Sequence, residues 1–253
     1  MSIVTAVGAH DAGEDHETTL TDLAERVRHA IYTCLATSGT LPERESLVLR
    51  LGITLETYDS ALAELARTRN VVLKGAEIEM AHPFATRSFG FSVMGPRTLW
   101  WGGCAWDAFA IPNLVPDSPE VLVATTCPAC ATPHAWTITN QGPPAGGQVA
   151  HFLTPADRIW PDAVHACENQ LVYCSEECVE DWLARARVER GYVMSLETLW
   201  RLSAHWYDGR LDTPYTRREP TVAAEYFRGV GLHGSFWGLT DHDQQEHGES
   251  TRS

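Results

Sequence analysis

The stretch GGCAWDAFAIP, residues 102–112, sets Cys104 three residues before Asp107 inside an apolar run ended by Pro112. If residues 104–111 form a helix, thiol and carboxyl share one face, a turn apart. They would then share a pocket wall with Trp100, Trp101, Trp106 and Phe109. An apolar surround raises a carboxyl's pKa, so Asp107 could hold or pass a proton near neutral pH. A free cysteine is equally a small buried hydrophobe, and an aspartate can cap a local element, so spacing alone leaves both readings open.

Seven cysteines occur in the chain, and six of them fall between Cys104 and Cys178. TTCPACATPH gives Cys127-x-x-Cys130, and VYCSEEC gives Cys174-x-x-x-Cys178. Two close pairs about forty residues apart can form a four-sulfur structural Zn2+ site. The second pair, at an expected strand-to-helix step, resembles half of a small treble-clef zinc module. Alternatively, Cys174 and Cys178 are only buried around a helix start. Cys34 sits on the apolar face of the first expected helix and reads as core. His134, His151 and His165 are scattered and read as structural, although His165, two residues before Cys167, could lower that thiol's pKa if protonated.

The elements that must position these residues divide the chain into an α+β pattern. Residues 1–19 read as a disordered leader. Residues 20–82 read as a winged-helix-like unit of three helices and a hairpin: LTDLAERVRHAIYTCLATSG with helical apolar spacing, ERESLVLRLGI stopped at Gly52, a third helix capped by Thr54, and a hairpin turning near Lys74 and Gly75. The third helix carries Glu56, Asp59 and Glu64 early, the wrong charge for phosphate contact.

Residues 83–210 read as a mixed sheet-and-helix catalytic domain. Strands are expected at TRSFGFSVMG, TLWWGG, EVLVATTC, HAWTITN, VAHFLTP and QLVYCS. A helix should follow a capping box at Ser175 and end at Gly191, and another should start at Ser195 and run through WYDGRL. Residues 211–240 read as a C-terminal extension, one helix and an apolar plug that packs on the body. Residues 241–253 read as a disordered polar tail.

The bulk numbers bound the function. The 253 residues carry a formal charge of -14, which repels a long phosphate backbone and makes nucleic acid an unfavourable partner. No apolar stretch approaches the ~20 residues that cross a bilayer, and the start lacks a secretory pattern. An odd cysteine count without an export signal argues against a disulfide framework and for a cytoplasmic protein with reduced thiols.

RTLWWGGCAWDAFAIPNLV resembles the active-site segment of the organomercurial lyase (alkylmercury lyase) family, with its Cys-x-x-Asp in an apolar segment and a proline soon after. HACENQLVYCSEECVEDW is similar to that family's second motif, a cysteine before a strand and then an acidic helix ending in tryptophan. The matching thiol is Cys167. The resemblance implies that Cys104 and Cys167 capture mercury from an organomercurial small molecule and that Asp107 is the acid in protonolysis of the carbon–mercury bond. Soft Hg(II) prefers thiolates by the same rule that selects copper(I) and zinc for sulfur. The products would be a hydrocarbon and thiolate-bound Hg(II), passed on to small thiols or a mercury-accepting thiol protein. No organic cofactor is required. Two alternatives stand beside this reading: a non-enzymatic, zinc-stabilised metal-binding or regulatory protein, and a lyase scaffold reused for other chemistry.

Overall fold

The computed structural model describes residues 19–115 and 117–239. All of the expected leader 1–19 except Thr19, and the whole of the expected tail 241–253, lie outside them. Thr19, placed in the leader by the sequence reading, belongs to the first helix as its cap. Its hydroxyl accepts from the Asp22 N–H at 3.1 Å, and Asp22 closes a capping box.

That helix, α1 (Leu20–Ser38), packs on α3 (Leu55–Arg67), with α2 (Arg44–Leu51) between them in sequence. The helical spacing of Val27, Ile31 and Leu35 buries one face of α1, and Gly39 at φ 72° ends it in the left-handed conformation that glycine adopts without cost. β1 (Val72–Lys74) and β2 (Glu77–Ala81) form the expected hairpin, turning at Gly75. The hairpin is not a detached wing. β2 pairs with β3 (Phe84–Ala85), which pairs with β5 (Leu99–Gly102), so the helical unit shares a sheet with the downstream part of the chain.

β4 (Phe91–Met94) pairs with β5 on one side. After α4 (Ala105–Leu114), the chain returns through β6 (Glu120–Thr126) and β7 (Pro133–Thr139). The result is a seven-stranded antiparallel sheet in the order β1-β2-β3-β5-β4-β6-β7. β8 (Val149–Phe152), β9 (Gln170–Tyr173) and β10 (Tyr192–Ser195) form a second, antiparallel sheet in the order β10-β8-β9. A short helix α5 (Ala163–Glu168) leads into β9, and α6 (Glu176–Ala186) follows it. α7 (Leu196–Ala204) and α8 (Pro220–Gly229) complete the described chain.

Apart from Asp107 and Asn113, α4 is apolar on every side, and such a helix must be buried all round. It lies between the two sheets, touching β5 and β9, and packs along α7. The extension after residue 210 packs as the expected plug: Phe227 and Trp237 close on Trp106 with ring centroids 6.1 and 6.0 Å away.

Several expected boundaries are corrected. α4 runs through Pro112 to Leu114, past the proline that the sequence reading took as its end. Ser175 makes no side-chain cap bond, and α6 ends at Arg187 in the left-handed conformation, four residues before Gly191. α7 is capped by Ser195 as expected but stops at Ala204, leaving residues 205–211 in turns. β3, two residues long, and β10, between Gly191 and the Ser195 cap, were not expected from the sequence.

Candidate active site

Cys104 does not sit inside α4 but immediately before it. As N-cap it is extended (φ -163°, ψ -174°), and its Sγ accepts the backbone N–H of Asp107 at 3.5 Å. A thiol thus takes the capping place usually held by serine or threonine, and the three-residue spacing puts Asp107 on the first turn, its side chain beside its own cap. The approach is close because Gly102 and Gly103 precede it. A Cβ on Gly102 would fall 2.7 Å from Ala108 Cβ, and one on Gly103 would fall 2.5 Å from Asp107 Oδ2.

Cys167 comes from α5, sixty-odd residues later, and is buried next to the same spot. Its thiol and that of Cys104 line the same cavity. Its Sγ, one oxygen of Asp107 and one ring nitrogen of His82 all lie within 4.8 Å of one another. The two thiols and the carboxyl singled out in the sequence therefore meet. They sit at the buried end of a cavity of about 380 Å³, which Gln170 and Tyr207 also line.

Asp107 is not the apolar-flanked acid expected. Burial alone would push its carboxyl up, but the His82 imidazole 2.9 Å away and the Tyr207 hydroxyl, which donates to Oδ1 at 2.5 Å, outweigh burial and hold it below the usual carboxylate range. His82 shows the converse balance. Burial opposes its charge, yet Asp107 and Cys167 beside it raise its pKa to about 9. The pair is an ion pair at neutral pH. Burial, the Cys167 contact and the Asp107 charge push the Cys104 thiol well up, so it keeps its proton in the resting site.

The pocket wall also differs from expectation. Of the four aromatics proposed from sequence, Trp106 lines the cavity, together with Trp160 and Trp206. Trp100 instead donates to the Leu35 carbonyl at 2.9 Å, and Phe109 packs on Trp136. His165 is exposed, its ring beside Asn169, and lines no part of the cavity. The histidine facing the thiols is His82, directly after β2. The sequence reading missed it because no motif marks it. The available signal was a polar residue closing the strand EIEMA just before a proline. Cys34 is core, as expected.

The fold is similar to that of known proteins. Residues 84–208 match the family model of alkylmercury lyase. That segment is just under half of the 253 residues and contains Cys104, Asp107 and Cys167. Among solved structures, the mercury-bound form of MerB2 aligns with a TM-score of 0.57 and 18% identity, over 78% of this chain and 100% of that chain. At that identity the likeness is one of fold. No curated protein matches the chain.

The alkylmercury-lyase segment also holds a second sulfur cluster. Cys127 and Cys130 flank the turn between β6 and β7, while Cys174 and Cys178 bracket the start of α6. The four Sγ atoms lie within 4.8 Å of one another, with Cys130–Cys174 at 3.4 Å and Cys130–Cys178 at 3.9 Å. Among the described residues this cluster and the His82, Asp107 and Cys167 group are the only sets of three or more such side chains so placed.

Proposed function

We propose that this chain is an organomercurial lyase, cleaving carbon–mercury bonds by protonolysis. The observation that supports the reading is that two buried thiols, Cys104 and Cys167, and the Asp107 carboxylate line one cavity. For a substrate R–Hg–X, both thiol sulfurs replace bonds at mercury: two Cys–SH and R–Hg–X give R–H, a Cys104–S–Hg–S–Cys167 bridge and HX. Asp107, as the base beside Cys104, takes the thiol proton while sulfur binds mercury. Its protonated form then delivers that proton to the carbon as the carbon–mercury bond breaks. His82 keeps Asp107 ionised and in place before the first transfer. Low-molecular-weight thiols or a thiol protein then remove Hg(II), which a reducing, cytoplasmic setting supplies.

The test is to incubate the purified, reduced protein with phenylmercury and excess small thiol and to measure benzene. Benzene should form, and Cys104→Ser and Cys167→Ser should abolish it. Asp107→Asn should lose about 10²–10⁴-fold in rate, the usual worth of a positioned proton-transfer group, yet still bind mercury. A metal-responsive regulator would tolerate Asp107→Asn. A folded, reduced protein that releases no benzene is no lyase.

We further propose that Cys127, Cys130, Cys174 and Cys178 hold a structural Zn2+. Zinc–sulfur bonds of about 2.3 Å in a tetrahedron place sulfurs about 3.8 Å apart, close to the separations seen here. Ala131 follows Cys130 at φ 61°, a conformation that costs a residue with a side chain, as expected where a chelate fixes the loop. Cys174 and Cys178 flank the N-terminus of α6, the end of a helix that favours a thiolate. The metal would supply no catalytic step. These sulfurs would tie the β6–β7 turn to the end of β9.

A further inference from the structure

The chain is strongly acidic, yet the dithiol cavity is lined by four arginines, Arg69, Arg210, Arg217 and Arg218. Six arginines in the described residues are matched with carboxylates, for example Arg28 with Glu25 and Arg87 with Glu79. These four are not: none takes part in an ion pair among the described residues. Arg210 is the extreme case. It is 4% exposed, its Nε has no hydrogen-bond partner, and its one side-chain bond is a 3.3 Å contact with Asn70 Oδ1. Its other neighbours are aromatic rings, with Tyr215 4.6 Å and Tyr207 5.4 Å from the guanidinium.

Arg217 donates only to the backbone carbonyls of Thr68 and Arg69, and Arg218 only to those of His205 and Trp206. Burial, with Arg210 and Arg69 nearby, holds the Arg217 guanidinium below its ordinary value, the mark of cations crowded without counterions. The cavity's two acids leave this charge unanswered. Asp107 is already engaged by His82 and Tyr207, and Asp157 is exposed and reaches none of the four.

A buried guanidinium without an anion is costly to keep, and its planar fork matches a carboxylate. A cavity that received only a hydrocarbon and a metal would have no use for it. We propose that Arg210 and Arg217, with Arg69 and Arg218 around them, form a carboxylate subsite of the dithiol cavity, so that the favoured substrates are organomercurials carrying a carboxylate. The carboxylate can sit on the organic group or on the thiol that accompanies mercury. The cavity's 380 Å³ leaves room beyond an aryl group, since about 150 Å³ suffices for benzene. This inference rests on the lyase reading for its substrate, but not for the anion site itself.

The experiment compares kcat/KM of the full chain for 4-mercuribenzoate and phenylmercury, each with neutral 2-mercaptoethanol. A second arm supplies phenylmercury with anionic mercaptoacetate or cationic cysteamine. A charge-assisted contact predicts at least about tenfold preference for the carboxylated partner in one arm, expressed in KM, and the arm that shows it identifies where the carboxylate sits. Arg217→Gln, half-buried and bonded only to the Thr68 and Arg69 carbonyls, should erase the preference by weakening the carboxylated partner far more than neutral phenylmercury; Arg210→Gln should erase it too. Equal kcat/KM for all pairings in an active enzyme overturns the subsite and leaves the lyase standing. So does an equal loss for charged and neutral substrates in both variants, which would assign the arginines to the Asp107 field instead. If no mercurial is cleaved but 4-mercuribenzoate binds more tightly than phenylmercury, by tryptophan quenching, and Arg217→Gln removes the difference, the lyase reading fails and the subsite holds.

Discussion

A buried carboxylate has to be matched by something, and around Asp107 that match decides what the site can do. The His82 cation and the Tyr207 hydroxyl reverse the effect of burial, so the resting acid of the site is a base. A base next to a protonated Cys104 thiol is the arrangement that lets sulfur bind mercury while its proton is stored one atom away. Removing His82 leaves the burial and takes away the counter-charge. In His82→Gln the Asp107 carboxyl should rise, and the acidic limb of kcat/KM should move to higher pH. Tyr207→Phe should move it the same way by less, since one neutral hydrogen bond is lost instead of a charge. A pH–rate profile of the two variants measures this; unchanged acidic limbs would mean that Asp107 is not the titrating base.

The thiols and carboxyl were legible in the sequence because a Cys-x-x-Asp before a proline is a short, local pattern. Their partners were not. His82 lies 25 residues upstream at the end of a strand, and Tyr207 and Arg210 lie in turns that looked like the tail of α7. What brings them in is tertiary: a buried charge recruits donors from wherever the fold passes, and spacing carries no record of that.

At the scale of elements, the site depends on how closely α4 seats on β5. Gly102 and Gly103 are the two positions where a side chain would intrude, and they intrude on different things. A Cβ at Gly102 meets the backbone of Ala108 at 2.8 Å, so Gly102→Ala should force the helix away and destabilise the protein by about 1–3 kcal/mol, read as a lower Tm. A Cβ at Gly103 meets only the Asp107 carboxylate at 2.5 Å and stays 3.6 Å from His82 Nδ1. Gly103→Ala should therefore fold with nearly the parent Tm and lose activity by displacing the carboxylate. Calorimetry and the benzene assay on the same preparations separate the two.

The sulfur cluster acts between elements in the same way, joining the β6–β7 turn to the β9–α6 step. Protein purified from zinc-replete cells should carry one zinc per chain, and Cys130→Ser should lower both zinc content and Tm. Cys104→Ser should keep the metal. A zinc-free parent that melts cooperatively would remove the structural metal. The helix starts and the longer strands were readable from capping residues and alternation. β3 and β10 were not: β3 has only two residues, and β10 lies squeezed between Gly191 and the Ser195 cap, held by its pairing with β8.

For the molecule as a whole, two buried histidines pull stability in opposite directions with pH. His82 is raised from 6.5 to about 9 by Asp107 and Cys167 against its burial. Below pH 6.5 it is charged in both folded and unfolded chains, and its contribution is complete. Between 6.5 and about 9 only the folded chain holds the proton, so that contribution is lost as pH rises. His151 is fully buried on β8, accepts the Gly191 N–H at 3.0 Å and is lowered to about 4, by burial first and then by Arg190. Above 6.5 it is neutral in both states. Between 6.5 and about 4 the unfolded chain alone takes up a proton, so stability falls as pH falls. The two limbs meet near pH 6.5, where stability should peak, with slopes of at most about 1.4 kcal/mol per pH unit from each group. Urea unfolding from pH 4.5 to 9 measures the curve. His151→Gln should flatten the acidic limb alone, and His82→Gln should flatten the alkaline limb while the raised Asp107 carboxyl also alters the acidic one. A parent curve that is flat across this range would contradict both assignments.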